Sequence, residues 1–236
     1  MKALLLAAGL GLRLRPLTES VPKCLVPIRG RPLLDYWLEL LFEGGVEQVL
    51  INTHHLPAPV HEFVGRSRWR ERVGLVHEDE LLGTGGTVLA NRAFFGREPF
   101  MVIHADNLSF FDPRAFEARH RARPPAAALT MMTFDTDAPQ TCGIVVLDGA
   151  GLVREMHEKV PNPPGRLANA AIYVFEPEVV DYIATLGKRF VDVSTEVLPH
   201  FMGRIFTFHN SRYHRDIGSY DSLRKAELEL ERLRAP

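Results

Sequence analysis

Cysteine is scarce in this chain: the 236 residues hold two, Cys24 and Cys142. They stand in no metal-binding spacing, which excludes a disulfide framework and favours a reducing, cytoplasmic setting for two core or loop thiols. A surplus of charge is missing as well. Twenty-eight Lys and Arg stand against 29 Asp and Glu, a formal net charge of -1, so nothing global draws the chain to nucleic acid or an acidic membrane, and any anion must be gripped locally. No apolar run approaches the roughly 20 residues of a membrane span. The opening MKALLLAAG breaks at Gly9 and meets Arg13 and Arg15, which leaves it too short for a signal peptide and makes it a buried first strand. There is no Gly-Lys-Ser/Thr and hence no Walker loop, and no H-E-x-x-H among the ten histidines, none of which is assigned to chemistry.

Short apolar runs alternate with longer amphipathic ones. KALLLAA, VEQVLINT, GLVHEDE and FMVIHAD read as strands, and PLLDYWLELLFEGG, PVHEFVGR and GGTVLANRAFF as helices. This rhythm predicts an α/β fold, Rossmann-like, with a mixed, mostly parallel sheet covered by helices on both faces. After about Pro124 the segments AALTMMTF, CGIVVLD, LVREMHEK and NAAIYVF follow one another across turns such as DGAG, which predicts a β-rich insertion or meander. Helical PEVVDYIATLG and VSTEVLPHFMG, strands RIFTFHN and YHRDIG, and a last helix YDSLRKAELELERLR complete the chain. That helix reads as a solvated amphipathic end, with a homodimer contact as the alternative.

Between the first strand and the first helix, about 22 residues run from Gly9 to Gly30, where loops of two to six are usual and long ones are commonly functional. Gly9 and Gly11 let the backbone turn tightly and bring amide hydrogens to an anion. A dinucleotide fingerprint is excluded, because its third glycine would fall at Leu14. Arg13 and Lys23 add two cations to one loop at the carboxyl end of a buried strand, where α/β proteins bind ligands.

Here the chain resembles the sugar-1-phosphate nucleotidylyltransferases, whose signature has the form G-x-G-T-R-[LM]-x-P-L-T followed by P-K. GLGLRLRPLTESVPK matches it at Gly9, Gly11, Arg13, Pro16, Leu17, Thr18, Pro22 and Lys23. Further family-like segments recur in the expected order: LLGTGGTV, FMVIHADN, MHEKV, LANAAIYVF and HRDIGS. The combination looks most like the short guanylyltransferases that act on D-glycero-alpha-D-manno-heptose 1-phosphate for surface polysaccharide such as capsule. The resemblance implies the nucleotide-diphospho-sugar transferase fold in one domain, with a nucleotide-binding half over 1–123 and a sugar-binding, metal-completing half over 124–236.

The implied reaction joins a nucleoside triphosphate, GTP foremost, to a sugar 1-phosphate and releases pyrophosphate. It implies Arg13 and Lys23 as the catalytic cations, the first on the departing pyrophosphate and the second on the α-phosphate and incoming sugar phosphate. Nucleotide contacts are implied at Leu6, Ala7, Ala8, Gly9, Gly11, Arg13, Glu78, Gly83, Thr84 and Gly85, with Gly86 continuing a flat wall for the base. Sugar-phosphate contacts are implied at Lys23, Gly143, Glu158, Lys159 and Asn169. Asp106 and Asp216 are implied to converge on Mg2+, which favours oxygen ligands and keeps several waters. Guanine offers an N–H and an adjacent amino group on one edge, which a carboxylate such as Glu78 or Glu80 can accept together, against a competing reading of exposed loop acids.

Four positions depart from the family pattern: Leu12 stands where Thr or Ser is common, Ala105 where Gly is common, Val160 for Pro and Ala171 for Gly. Two other functional classes compete. A catalytically silent nucleotide-binding regulatory subunit is opposed by the retained Arg13, Lys23, Asp106 and Asp216, and an NAD-dependent oxidoreductase rests on the sheet and early glycines alone. Mannose 1-phosphate, or glucose- and amino-sugar 1-phosphates with uridylyl or thymidylyl transfer, are the alternative substrates. No carboxyl-terminal β-helix is expected, since the chain runs only a short way past Asp216.

Overall fold

Strand β1 (Lys2–Leu6) is apolar on both faces, and both faces are used. Ala3 and Leu5 join a core with Trp37, Leu41 and Ile51 on one side. Leu4 joins a second core with Val88, Phe100 and Val179 on the other. The computed structural model describes residues 1–234. After β1 comes the long loop, which is built from three single 3-10 turns and ends in a two-residue pair, β2 (Pro27–Ile28) and β3 (Arg31–Pro32).

Helix α1 (Leu33–Glu43) buries Leu33, Leu34, Trp37, Leu38 and Leu41, the helical spacing of one apolar face, and stops at Gly44. Then follow β4 (Gln48–Thr53), α2 (Pro57–Arg66), β5 (Val73–His77), α3 (Gly83–Ala90), α4 (Arg92–Phe95) and β6 (Phe100–His104). The single predicted helix GGTVLANRAFF is two, because Asn91 folds back and its Nδ2 donates to the Thr87 carbonyl at 2.8 Å.

The second half adds β7 (Asn107–Phe110), α5 (Pro113–Arg121), β8 (Leu129–Asp135), β9 (Gly143–Leu147), β10 (Val153–Glu158), β11 (Leu167–Phe175) and α6 (Pro177–Thr185). It closes with β12 (Ile205–His209), β13 (Tyr213–Asp216) and α7 (Tyr220–Arg234). The β-rich segment is built into the main sheet. Strand β11 pairs antiparallel with β6, Ile172 opposite Ile103, and carries β8, β9, β10 and β12 into one nine-stranded sheet. The physical reason is that Ala170, Ile172 and Val174 feed one core while Tyr173 and Phe175 feed the other, so this strand is interior rather than part of a free meander. VSTEVLPHFMG, expected as a helix, is one π turn (Val193–Val197) followed by a 3-10 turn (Leu198–Phe201). Pro199 lacks the N–H that an α-helix interior requires.

Strands β6, β1, β4 and β5 lie side by side in that order, all parallel. From β1 the chain moves through β4 to β5, then returns across the sheet to β6 on the other side of β1. This reversal opens a crevice at the carboxyl ends of β1 and β6, the place where open α/β sheets bind ligands. Among the described residues no helix is long and apolar enough to cross a membrane.

Candidate active site

The chain leaves β1 into that crevice. Ala7 N–H donates to Asn52 Oδ1 at 2.7 Å. Among the described residues the next four N–H groups, of Ala8, Gly9, Leu10 and Gly11, have no protein acceptor, which leaves four backbone donors of the kind an anion takes. The loop is knitted behind them: Thr18 Oγ1 donates to the Gly11 carbonyl at 2.7 Å. Buried Leu14 anchors the 3-10 turn Leu12–Leu14 while Arg13 extends into solvent. Leu12 is exposed and contributes no hydroxyl to the loop.

Four charged side chains from distant parts of the sequence meet here. Lys23 Nζ lies 2.6 Å from Asp106 Oδ2 and 3.8 Å from Asp216 Oδ1, and Arg13 Nη2 lies 3.6 Å from Asp216 Oδ2. The two acids converge because β7 and β13 form a small antiparallel sheet of their own, Asp216 opposite Asn107. Ile217 N–H donating to the Asp106 carbonyl at 3.1 Å completes the closure. Lys23 is buried, a position a lysine occupies only when paired. Burial opposes ionisation of Asp106, but the charge and hydrogen bond of Lys23 hold its carboxyl below the usual range. Burial and the charge of Asp106 push Asp216 up, against Lys23 and Arg13. Burial keeps His104 below its ordinary value and pushes the Cys24 thiol up to about 12, which makes that thiol inert.

The crevice deepens into a cleft of about 200 Å³ whose lining includes Leu6, Ala7, Ala8, Gly9, Lys23, Asp106, Glu78, Gly83 and Thr84. Glu78 is buried. Its Oε1 accepts from Asn52 Nδ2 at 2.9 Å and Thr87 Oγ1 at 2.5 Å, while among the described residues Oε2 accepts only a long bond from Leu82 N–H at 3.4 Å. Half of this carboxylate is therefore structural. Glu80 stands outside the cleft, exposed and 3.4 Å from Arg189. The glycine segment divides in the same way: Gly83 and Thr84 line the cleft, whereas the N–H groups of Gly85 and Gly86 are taken by the Val191 carbonyl at 2.8 and 3.3 Å.

Gly143 and Glu158 face each other across β9 and β10. A β-carbon at 143 would stand 2.5 Å from Glu158 Oε2, so the glycine makes room for that carboxylate. Lys159 is exposed, 3.2 Å from Glu158 Oε1. Asn169 Nδ2 donates to the Tyr173 hydroxyl at 2.8 Å and its Oδ1 accepts from Ala171 N–H at 2.9 Å. Burial pushes the Tyr173 phenol up, against the Asn169 bond and with the nearby charges of Glu158 and Asp192. Sequence reasoning missed Asn52, Thr87, Tyr173, Asp192 and Phe190 as members of this region. Asn52 carried a visible signal as an amide ending the apolar run VLIN, and Thr87 and Tyr173 stand inside the family-like segments LLGTGGTV and LANAAIYVF.

Among the described residues no three His, Cys, Asp or Glu side chains gather as a ready metal cage. Two carboxylates within 4 Å of one ammonium nevertheless suit magnesium, which is bound by one or two carboxylates together with water and phosphate oxygens.

The architecture is that of the nucleotide-diphospho-sugar transferases, with acceptor-free loop amides and paired carboxylates at the switch point of its sheet. The chain belongs to the nucleotidyl transferase family, whose model matches residues 2–232. A mannose-1-phosphate guanylyltransferase of Mycobacterium tuberculosis is 32% identical over 239 residues, 99% of this chain and 66% of the relative. A UTP–glucose-1-phosphate uridylyltransferase of Synechocystis is 30% identical over 213 residues, 84% of this chain and 54% of the relative. The chain thus spans just under two thirds of the first and about half of the second. Among solved structures, HddC from Yersinia pseudotuberculosis complexed with GMP-PN superposes with a TM-score of 0.82 at 23% identity, over 97% of this chain and 99% of that one.

Proposed function

We propose that the protein transfers a nucleotidyl group from a nucleoside triphosphate to a sugar 1-phosphate, with guanylyl transfer to a manno-configured sugar, heptose or mannose 1-phosphate, as the specific reaction. The observation that carries this reading is the meeting of Arg13, Lys23, Asp106 and Asp216 beside the free amides of Ala8 to Gly11. The heptose assignment is supported by the sequence motifs and the mannose assignment by the mycobacterial relative. Both share guanine as the base.

In this reaction an oxygen of the sugar phosphate attacks the α-phosphorus in line. The new P–O bond forms as the bond from the α-phosphorus to the β-phosphate oxygen breaks, and the electron pair leaves with pyrophosphate. The difficulty is repulsion: two unit charges 4 Å apart oppose each other by about 4 kcal/mol at the dielectric typical of a protein surface. Lys23, anchored by Asp106, lies between the two carboxylates as a fixed positive charge for the α-phosphate and the incoming sugar phosphate. Arg13, exposed and tethered loosely to Asp216, supplies a planar donor fork to the departing pyrophosphate. The amides of 8–11 hold the remaining phosphate oxygens. A magnesium ion held by Asp106 and Asp216 would supply further neutralisation of phosphate charge. Glu158 and Asn169 are the sugar-side contacts, a carboxylate and an amide for hydroxyls.

The test is pyrophosphate release across four nucleoside triphosphates crossed with heptose, mannose and glucose 1-phosphates. Expected is release that is greatest with GTP and a manno-configured sugar, and that falls about 10²- to 10³-fold in Arg13→Ala. No release from any pair, or undiminished release in the variant, would defeat the reading.

A further inference from the structure

We infer that the ring of Phe190 is the stacking face for the nucleobase, an inference that rests on reading the cleft as a nucleoside triphosphate site. Phe190 is 57% exposed yet lines the same cleft as Lys23, Asp106 and Glu78. Leu81, also exposed, shares the lip. A single exposed apolar side chain is ordinary on a protein surface; what distinguishes this one is how firmly it is held. On its carboxyl side Val191 N–H donates to the Leu82 carbonyl at 3.0 Å, and the Val191 carbonyl accepts from both Gly85 and Gly86. Val193 N–H donates to Thr84 Oγ1 at 2.7 Å. The tip of the ring lies close to bare backbone, its Cζ 3.2 Å from the place a β-carbon of Gly83 would occupy. An apolar ring on a hydrogen-bonded backbone thus stands at the cleft in advance, with little backbone ordering left for a ligand to impose.

Sheet geometry separates this lip from the phosphate end. Asp106 follows β6 and Glu78 follows β5, and β1 and β4 lie between them. Three strand spacings amount to about 14 Å. With the triphosphate held by the amides of 8–11 and by Lys23, the base falls towards the β5 side, where Gly83 and Thr84 offer backbone, Glu78 Oε2 offers an acceptor and Phe190 offers a face. Edge-on polar recognition combined with face-on aromatic contact is the arrangement a planar heterocycle requires.

Stacking on an aromatic side chain tolerates any base, so the face contributes affinity and the Glu78 edge contributes selectivity. Phe190→Ala is expected to raise KM for the nucleoside triphosphate roughly tenfold, with KM for the sugar 1-phosphate unchanged and the preference among bases retained. Phe190→Tyr keeps an aromatic ring and is expected to recover most of the nucleotide affinity that the alanine variant loses. A readout independent of turnover is the emission of Phe190→Trp, against the unchanged parent, whose own tryptophans are Trp37 and Trp69. GTP should quench the added indole, while inorganic tripolyphosphate should not. Unchanged KM in the alanine variant, or equal response of the indole to GTP and tripolyphosphate, would overturn the inference. If the parent protein turns over no substrate pair, the transferase reading fails by itself, and the fluorescence titration still decides whether the ring meets a base.

Discussion

Gly218 and Arg13 share one space: a β-carbon at 218 would stand 2.5 Å from Arg13 Nη2, and equally 2.5 Å from Asp216 Oδ2. Position 218 therefore sets how closely the guanidinium can approach the carboxylate. The displaced groups are the ends of flexible side chains, so Gly218→Ala should leave the fold intact while moving Arg13 off its line to the substrate. Turnover is expected to fall roughly 10- to 100-fold, less than the 10²- to 10³-fold typical of deleting a charge-stabilising donor. Thermal melting should change little. Activity equal to the parent's would detach Arg13 positioning from this glycine.

The Lys23–Asp106 pair makes a separate claim on stability. Removing one partner of a fully buried pair costs about 3–5 kcal/mol. Here Lys23 is buried but the Asp106 side chain is 40% exposed, and Asp216 remains 3.8 Å away as a substitute. Asp106→Asn should then cost about 1–2 kcal/mol after that discount for screening. The corresponding fall in Tm is about 2–8 °C for a chain of this size. Turnover should collapse at the same time, with more magnesium needed for what remains. A melting temperature at the parent value would mean that Asp216 alone satisfies the ammonium.

Ala171 stands with φ +53°, a left-handed conformation that costs a residue with a β-carbon about 1–2 kcal/mol. It sits where β11 shifts register between Asn169 and Tyr173, and the resulting bulge lets Asn169 Oδ1 accept from Ala171 N–H. Ala171→Gly removes the strain but adds freedom to the unfolded chain. The net expectation is a gain of roughly 0.5–1 kcal/mol and a rise in Tm of about 1–4 °C, read by calorimetry. A fall in Tm would mean that the methyl group packs well enough to offset its backbone cost.

That alanine also illustrates what a sequence can and cannot disclose here. Its departure from Gly is visible in LANAAIYVF, but the bulge that makes the departure costly is not. The proposed phosphate loop is legible because Gly9, Gly11, Arg13 and Lys23 lie on one local stretch. The alternating apolar runs likewise announce the two-faced sheet. Convergence of Asp106 with Asp216 is different, since it depends on β13 leaving the main sheet to pair with β7, a long-range choice that no local pattern encodes. Glu78 reads as a free carboxylate until Asn52 and Thr87, brought in by neighbouring elements, take one of its oxygens. Phe190 is hidden for the same reason, because its place at the cleft follows from the Val191 carbonyl capping the amides of Gly85 and Gly86.

Outside the site, His120 ties stability to pH. It is buried, with Nε2–H donating to Glu176 at 2.9 Å and Nδ1 accepting from the Thr130 hydroxyl at 2.8 Å. This tautomer of the neutral ring satisfies both partners. Burial holds its pKa below the ordinary value, the charge of Arg123 acts in the same direction, and Glu176 opposes them. In the unfolded chain the ring titrates near ~6.5. Between the two values the unfolded state takes up a proton that the folded state refuses, so stability is full above about pH 6.5 and declines as pH falls below it. Melting temperature should therefore drop between about pH 7 and pH 5.5. His104 and His214 are shifted in the same direction by burial, so His120→Gln should flatten that slope without abolishing it. A slope identical to the parent's in this variant would assign the acid sensitivity to the other two rings.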